Sequence, residues 1–358
     1  MQGEAIAKVA CLLEVTARPL LTLGGGTNMN LKSVAFAAVS ALSLTMAVGA
    51  QETIELKYTV PSVPTDLHTQ AMKIFADKLE ELSPGRFDIQ LYDSGSLFAQ
   101  GADLDALQRG NAEMTYVSYQ LIADNIPEYG VLTAGYLFQS PEHYRAFLAS
   151  DLGAEFKQRV SDEMDIQLLD SCYLGTRQVN LRRAKDVQTP ADLAGIKLRM
   201  PSSDAWLFLG QALGANPTPL PFGEVYLGLQ SGTIDGQDNP LPSVEAAKFY
   251  EVTEQIVLTS HLVDAINVAV NNQTWDQLND DERAAMTEAA IASCDWNNER
   301  RVADEDRLVS FFEEQGLQVT TPDVAAFRSH VQDFYLNSDR AADWPQGWIE
   351  QINALAAE

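Results

Sequence analysis

After residue 50 the apolar positions switch between a period of two and a period near 3.6, and these switches divide the chain into elements. Ile54, Leu56, Tyr58 and Val60 alternate with other residues, which predicts a half-buried strand. Met72, Phe75, Leu79 and Leu82 lie three and four residues apart, one face of a helix that Ser83-Pro84-Gly85 stops. Phe87, Ile89 and Leu91 alternate again. A short helix with Leu104 and Leu107 ends at Gly110, and residues 113–118 read as a third strand. Strand, helix, strand, helix, strand is the rhythm of an α/β lobe.

Residues 119–140 are apolar and aromatic without a clean period and read as a loop with short helical turns. Ser140-Pro141 places a capping residue before a proline at the first helical position, which starts a helix. Residues 166–173 form a strand leading into Gly175-Thr176-Arg177, and Thr189-Pro190 opens a helical turn. The stretch from Ile196 to Pro240 repeats the α/β rhythm: a strand on Ile196, Leu198 and Met200, a helix closing at Gly214, a proline-punctuated strand over 217–220, and a helix closing at Gly232. Asp-Gly-Gln-Asp-Asn-Pro at 235–240 then reads as a turn.

A helix through Phe249 and two strands, 255–258 and 265–271, follow. Asn279-Asp280-Asp281-Glu282 opens a helix with acids where its dipole favours them, and no breaker appears before Gly316. That helix runs about 35 residues, roughly 50 Å, longer than one lobe needs and suited to lying across two. A chain of 358 residues also exceeds what one core supports, so two lobes are expected.

Charge narrows the function. The chain has 24 Lys and Arg against 50 Asp and Glu, a formal charge of −26. Nucleic acid and anionic membrane surfaces are excluded as partners, since both demand clustered cations. A small anionic ligand stays compatible only if a local cation works against the summed field. Cysteine is scarce: Cys11, Cys172 and Cys294, with no metal-ligand spacing. Cys172 and Cys294 are read as unpaired buried thiols, their pairing being the alternative that export would allow.

Residues 29–50 have Lys32, an uncharged apolar run and the small-residue ending Val48-Gly49-Ala50, the layout of a secretory signal cleaved after Ala50. Residues 1–28 precede Met29, which opens a complete signal by itself, and they are assigned no fold. The mature product is expected to be exported and soluble.

No HExxH, GxSxG or Walker A motif occurs, and Gly24-Gly25-Gly26 lies ahead of Met29. His68, His143, His261 and His330 are scattered, so no metal or cofactor is expected and nothing indicates catalysis. Arginine is more informative. Arg199 ends a strand before Pro201, and Arg177 follows Gly-Thr. Ligands of open α/β lobes sit beyond the carboxyl ends of strands, and a planar guanidinium matches a carboxylate with two parallel hydrogen bonds. Against this stands the ordinary use of arginine in an acidic protein, pairing with a neighbouring Asp or Glu. Asn239 is either turn chemistry or an amide that meets the ligand. Phe222, set off by Pro221 and Gly223, is the aromatic expected to reach a cleft, whereas Trp206 and Tyr226 are assigned to packing.

Four linked runs then carry a resemblance: Gly-Thr-Arg at 175–177, ADLAGIKLRMP at 191–201, LGANPTPLPFGEVY at 213–226 and LQSGTIDGQDNPL at 229–241. In this order they resemble the solute-binding subunits of tripartite ATP-independent periplasmic (TRAP) transporters, the DctP-type family, across the mature chain. The resemblance implies an α/β two-lobe periplasmic solute-binding fold with hinge strands and a long helix spanning both lobes. It implies lobe I as 51–174 with 265–304, and lobe II as 175–264 with 305–358. It also implies no enzymatic activity, an organic acid as ligand, and a membrane permease of one small and one large subunit as partner. The family's carboxylate-clamping arginine matches Arg199, its second arginine Arg177 and its amide Asn239. Tyr116 and Ser118 are the first-lobe ligand contacts proposed, with Asn180 a further residue facing the cleft. The rival readings are an exported binding protein feeding a sensor or an ATP-driven importer, and an exported enzyme using a pair of acids.

Overall fold

The computed structural model describes residues 53–357, so the expected signal, its cleavage after Ala50 and Cys11 lie outside the described residues. The chain begins β1 (Ile54–Thr59), α1 (Leu67–Leu82), β2 (Phe87–Tyr92), α2 (Asp103–Gln108), β3 (Met114–Ser118), α3 (Tyr119–Asn125), α4 (Pro141–Ala149) and α5 (Asp151–Met164). It continues with β4 (Ile166–Leu181), β5 (Lys197–Met200), α6 (Asp204–Ala212), β6 (Asn216–Pro219), α7 (Val225–Ser231), β7 (Gly236–Pro240) and α8 (Leu241–Ala246). The last part comprises β8 (Gln255–Asn271), α9 (Asp280–Glu314), β9 (Gln318–Thr320), α10 (Val324–Leu336) and α11 (Trp348–Ala354). Residues 119–140, expected as a loop with short helical turns, carry α3, where the Ser118 hydroxyl accepts from Leu121 N–H and Tyr119 and Ile122 are buried.

The strands join one sheet in the order β2-β1-β3-β8-β4-β7-β5-β6, with β9 on β8. Two strands serve both lobes. β4 and β8 pair antiparallel from Ile166↔Asn271 to Leu181↔Gln255. β3 pairs with the far half of β8, and β7 with the far half of β4. The sheet therefore corrects two expectations: the strand at 166–173 runs on to Leu181, and the strands at 255–258 and 265–271 are one. Their alternation breaks because register shifts fall at Leu168/Asp170, Tyr173/Gly175 and Arg177/Val179, the last opposite Ser260, which has a φ of 47°. Gly175 sits at the crossover with φ +123°, and a Cβ there would come within 2.5 Å of the Pro240 Cβ, so only glycine fits.

The turn expected at 235–240 is also corrected, since residues 236–240 form β7, buried along its length between β4 and β5. Its polar side chains are tolerated there because hydrogen bonds within the sheet satisfy Gln237, Asn239 and Asp238 Oδ2, while Asp238 Oδ1 has no partner among the described residues. α9 extends over 35 residues behind a capping box made by Asn279 and Glu282. Met286, Ala289 and Cys294 pack it into the core around β1 and β3, while Leu308 and Phe312 join a core with Val225 and Ile256. It spans both lobes. α11 departs from the expected grouping of 305–358 with the second lobe: Trp348 and Ile352 pack with Tyr129 and Phe147, and the Ile352 carbonyl lies 2.6 Å from His143 Nε2. The thiols read as unpaired are a disulfide, Cys172–Cys294, with Cα atoms 4.5 Å apart, which ties β4 to α9.

Among the described residues no helix is long and apolar enough to cross a membrane, and no cluster of His, Cys, Asp and Glu fits a metal ion.

Candidate functional site

A cavity of about 800 Å³, counting the open space at its mouth, lies between the two halves of the sheet. The first lobe supplies Ser62, Asp66, His68, Gln100, Asp103, Tyr116 and Ser118 to its wall, and the second supplies Arg177, Trp206, Phe222, Asn239 and Ser243.

Arg199, near the carboxyl end of β5, is not itself among the residues lining this cavity; it lies behind Gln100 and Phe222, which are, and only 1% of it is exposed. Its Nε donates to the Leu220 carbonyl at 2.8 Å and its Nη2 to Gln100 Oε1 at 2.6 Å. Among the described residues no carboxylate lies in ion-pair contact with it. Burial pushes its pKa down to about 9, with Asp238 opposing that fall and Arg177 adding to it. A guanidinium remains charged at neutral pH even so, and a buried cation without a counter-ion in contact is what an incoming anion can stabilise.

Arg177 has the opposite circumstances. Its Nε donates to Asp264 Oδ2 at 2.6 Å, its Nη1 lies 3.2 Å from Asp238 Oδ2, and its guanidinium stacks 4.2 Å over the Trp206 ring. Burial disfavours its charge, but the two aspartates outweigh that and raise its pKa. Nη1 also reaches Asn239 Oδ1 at 3.4 Å. Arg177 therefore lines the cavity as a cation already neutralised by the protein.

Asn239 lines the cavity from β7, its amide donating to Gln237 Oε1 at 2.5 Å. Asn180 does not face it. Its amide is fully buried and donates to Thr253 Oγ1 and the Gln255 carbonyl, each at 2.9 Å, while its oxygen accepts from Gln237. Phe222 lines the cavity 5.9 Å from the Arg199 guanidinium. Tyr116 and Ser118 line it from β3, with the Tyr116 hydroxyl donating to the His68 carbonyl at 2.9 Å.

Several wall residues escaped the sequence reading. Trp206, assigned to packing, is both a cavity wall and the plate beneath Arg177. Gln100 reaches across from the first lobe to Arg199 and also accepts from Phe222 N–H at 3.0 Å. Asp66 forms a buried ion pair with Arg301 of α9, and its other oxygen accepts from Ser243. Neither ring nitrogen of His68 has a hydrogen-bond partner among the described residues, and Nδ1 stops 3.6 Å from Asp66. Burial pulls the His68 pKa down to about 4, with Arg301 adding to the fall and Asp66 opposing it. Asp66 precedes α1 and caps it through His68 N–H, a role its position just before the helix makes visible in the sequence. Nothing local marks the others, because their partners are distant in the chain.

The profile of the family described as bacterial extracellular solute-binding protein, family 7 (DctP), matches residues 59–340. The chain belongs to this family. It is 31% identical over 309 residues to the sialic acid-binding periplasmic protein SiaP of Vibrio cholerae, covering 86% of this chain and 96% of SiaP. A solved TRAP periplasmic solute-binding protein from Roseobacter denitrificans, with bound 3-deoxy-D-manno-oct-2-ulosonic acid (KDO), is 46% identical with a TM-score of 0.81. The match covers 85% of this chain and 100% of that one. Another from the same species, with bound L-galactonate, is 26% identical with a TM-score of 0.77 over 86% of this chain and 100% of that one. The two-lobe α/β architecture is thus the architecture of solute-binding proteins.

Proposed function

We propose that this family 7 protein is the extracytoplasmic solute-binding subunit of a TRAP transporter, capturing an organic acid between its lobes and delivering it to a membrane permease. The observation that carries this reading is Arg199, a buried cation with no carboxylate in contact among the described residues, placed at a strand tip behind the cavity-lining Gln100 and Phe222. A ligand carboxylate docks on that guanidinium with Asn239 and the neutralised Arg177 alongside, and hinge bending at the shared strands closes the lobes. The sequence boundaries at 174/175 and 264/265 mark the hinge. Similarity to proteins with bound KDO and L-galactonate favours a sugar acid as ligand. Export with cleavage after Ala50 and a permease of one small and one large subunit belong to the same reading. No enzymatic step is assigned.

A thermal-shift screen with KDO, N-acetylneuraminate, L-galactonate and C4-dicarboxylates tests it. A ligand at one hundred times its Kd adds about 2.7 kcal/mol of stability. At least one acid is expected to raise Tm in the wild type and to fail with Arg199→Ala; a flat response to every acid overturns the reading.

A further inference from the structure

We propose that Asp103 selects the ligand: its free carboxylate oxygen accepts a hydroxyl of the captured acid and turns away acids that carry a second carboxylate. This deepens the organic-acid reading and rests on it. The Asp103 side chain lines the cavity and is 2% exposed. Its Oδ1 accepts from Gly101 N–H at 3.1 Å and Leu104 N–H at 3.0 Å, while its Oδ2 has no partner among the described residues.

The other acids of the wall are compensated. Asp66 pairs with Arg301, and Asp264 pairs with Arg177. Among the described residues Asp103 has no cation in contact, which leaves its carboxylate as an acceptor seeking a donor. A hydroxyl supplies one. A second ligand carboxylate instead sets two like charges together in a site of low dielectric, the most expensive arrangement two acids can adopt. Burial pushes the Asp103 pKa up to about 6, as expected for a carboxylate without a counter-ion. The segment that leads into α2, which Asp103 opens, also delivers Gln100 to Arg199, so one stretch of the first lobe serves both the anchor and the hydroxyl.

Calorimetry with KDO, L-galactonate and galactarate, on wild type and Asp103→Asn, tests the assignment. Galactarate differs from galactonate by a second carboxylate in place of a terminal hydroxymethyl. The wild type is expected to bind at least one of the two monoacids tenfold or more tighter than galactarate. Asp103→Asn, which keeps the Oδ1 acceptor for the loop, is expected to weaken that monoacid about tenfold and to narrow the gap to galactarate. If Asp103→Asn does not fold, Asp103→Ser removes the same charge and is read the same way. An unchanged preference in the variant, or galactarate bound as tightly as the monoacids by wild type, overturns the role of Asp103 and leaves the organic-acid reading standing. Failure of all three probes also overturns it, and the wider acid screen then decides the parent reading separately.

Discussion

Nη2 of Arg199 donates to Oε1 of Gln100 at 2.6 Å, so a first-lobe amide caps the buried cation of the second lobe. The same oxygen holds the Phe222 N–H at 3.0 Å. An uncharged cap accepts one guanidinium N–H without cancelling its charge. Gln100→Glu would cancel it. That variant should bind the native acid tenfold or more weakly while its ligand-free Tm holds or rises. Calorimetry beside a melting curve checks this, and undiminished affinity would show that the charge of Arg199 is not what the ligand meets.

Arg199 and Arg177 should separate cleanly on substitution. Arg199→Lys loses the planar fork and the Nε bond to Leu220, and should cost about 2–5 kcal/mol of ligand affinity with little loss of ligand-free stability. Arg177→Met strands Asp238 and Asp264 in the interior, and should cost about 3–5 kcal/mol of folding stability. Urea melts together with calorimetry distinguish the two patterns; equal loss of Tm in both would remove the distinction between an open cation and a neutralised one.

His68 makes stability sensitive to acid. Its folded pKa is about 4 against the ordinary 6.5. Between those values the unfolded chain binds a proton that the folded chain refuses, so stability falls as pH drops through 6.5 and levels off below about 4. By pH 5 the loss from this residue is about 2 kcal/mol. Asp103, with its pKa raised to about 6, runs the other way: the folded state binds the extra proton, and acidification stabilises. Comparing wild type with His68→Asn at pH 7 and pH 5 isolates the histidine, and the variant should lose about 2 kcal/mol less than wild type over that step. Parallel pH dependence in the two proteins would contradict the assignment.

The Cys172–Cys294 bridge closes a loop of 122 residues. A chain-entropy account gives such a cross-link about 5 kcal/mol. Cys172→Ala with Cys294→Ala should lower the urea midpoint correspondingly, and reductant should then leave the variant's midpoint where it is. Loss of less than about 1 kcal/mol would place the stabilisation elsewhere.

What could be read from the chain alone was local. Periods of two and 3.6 located β1, α1 and β2. Glycines 214 and 232 marked helix ends, and Asn279 with Glu282 marked the start of α9. These signals depend on residues within a turn of one another. The same reading split β8 at Ser260 and took β7 for a turn, because Gln237, Asp238 and Asn239 look like turn residues until their neighbouring strands are present.

The residue type and the strand-tip position of Arg199 were equally visible in the sequence, and so was the acidity that makes a local cation necessary. Tertiary structure decided which arginine stays open. Arg177 meets Asp238 and Asp264, 61 and 87 positions away, whereas the hydrogen bonds of Arg199 among the described residues go to a carbonyl and an amide. It also joined Cys172 to Cys294, turned Asn180 into the sheet and set Asp103 on the cavity wall with no cation in contact among the described residues. The reason is physical: helix and strand preferences are settled by near neighbours, whereas compensation of a buried charge is settled by whichever distant groups the fold brings within a few ångströms.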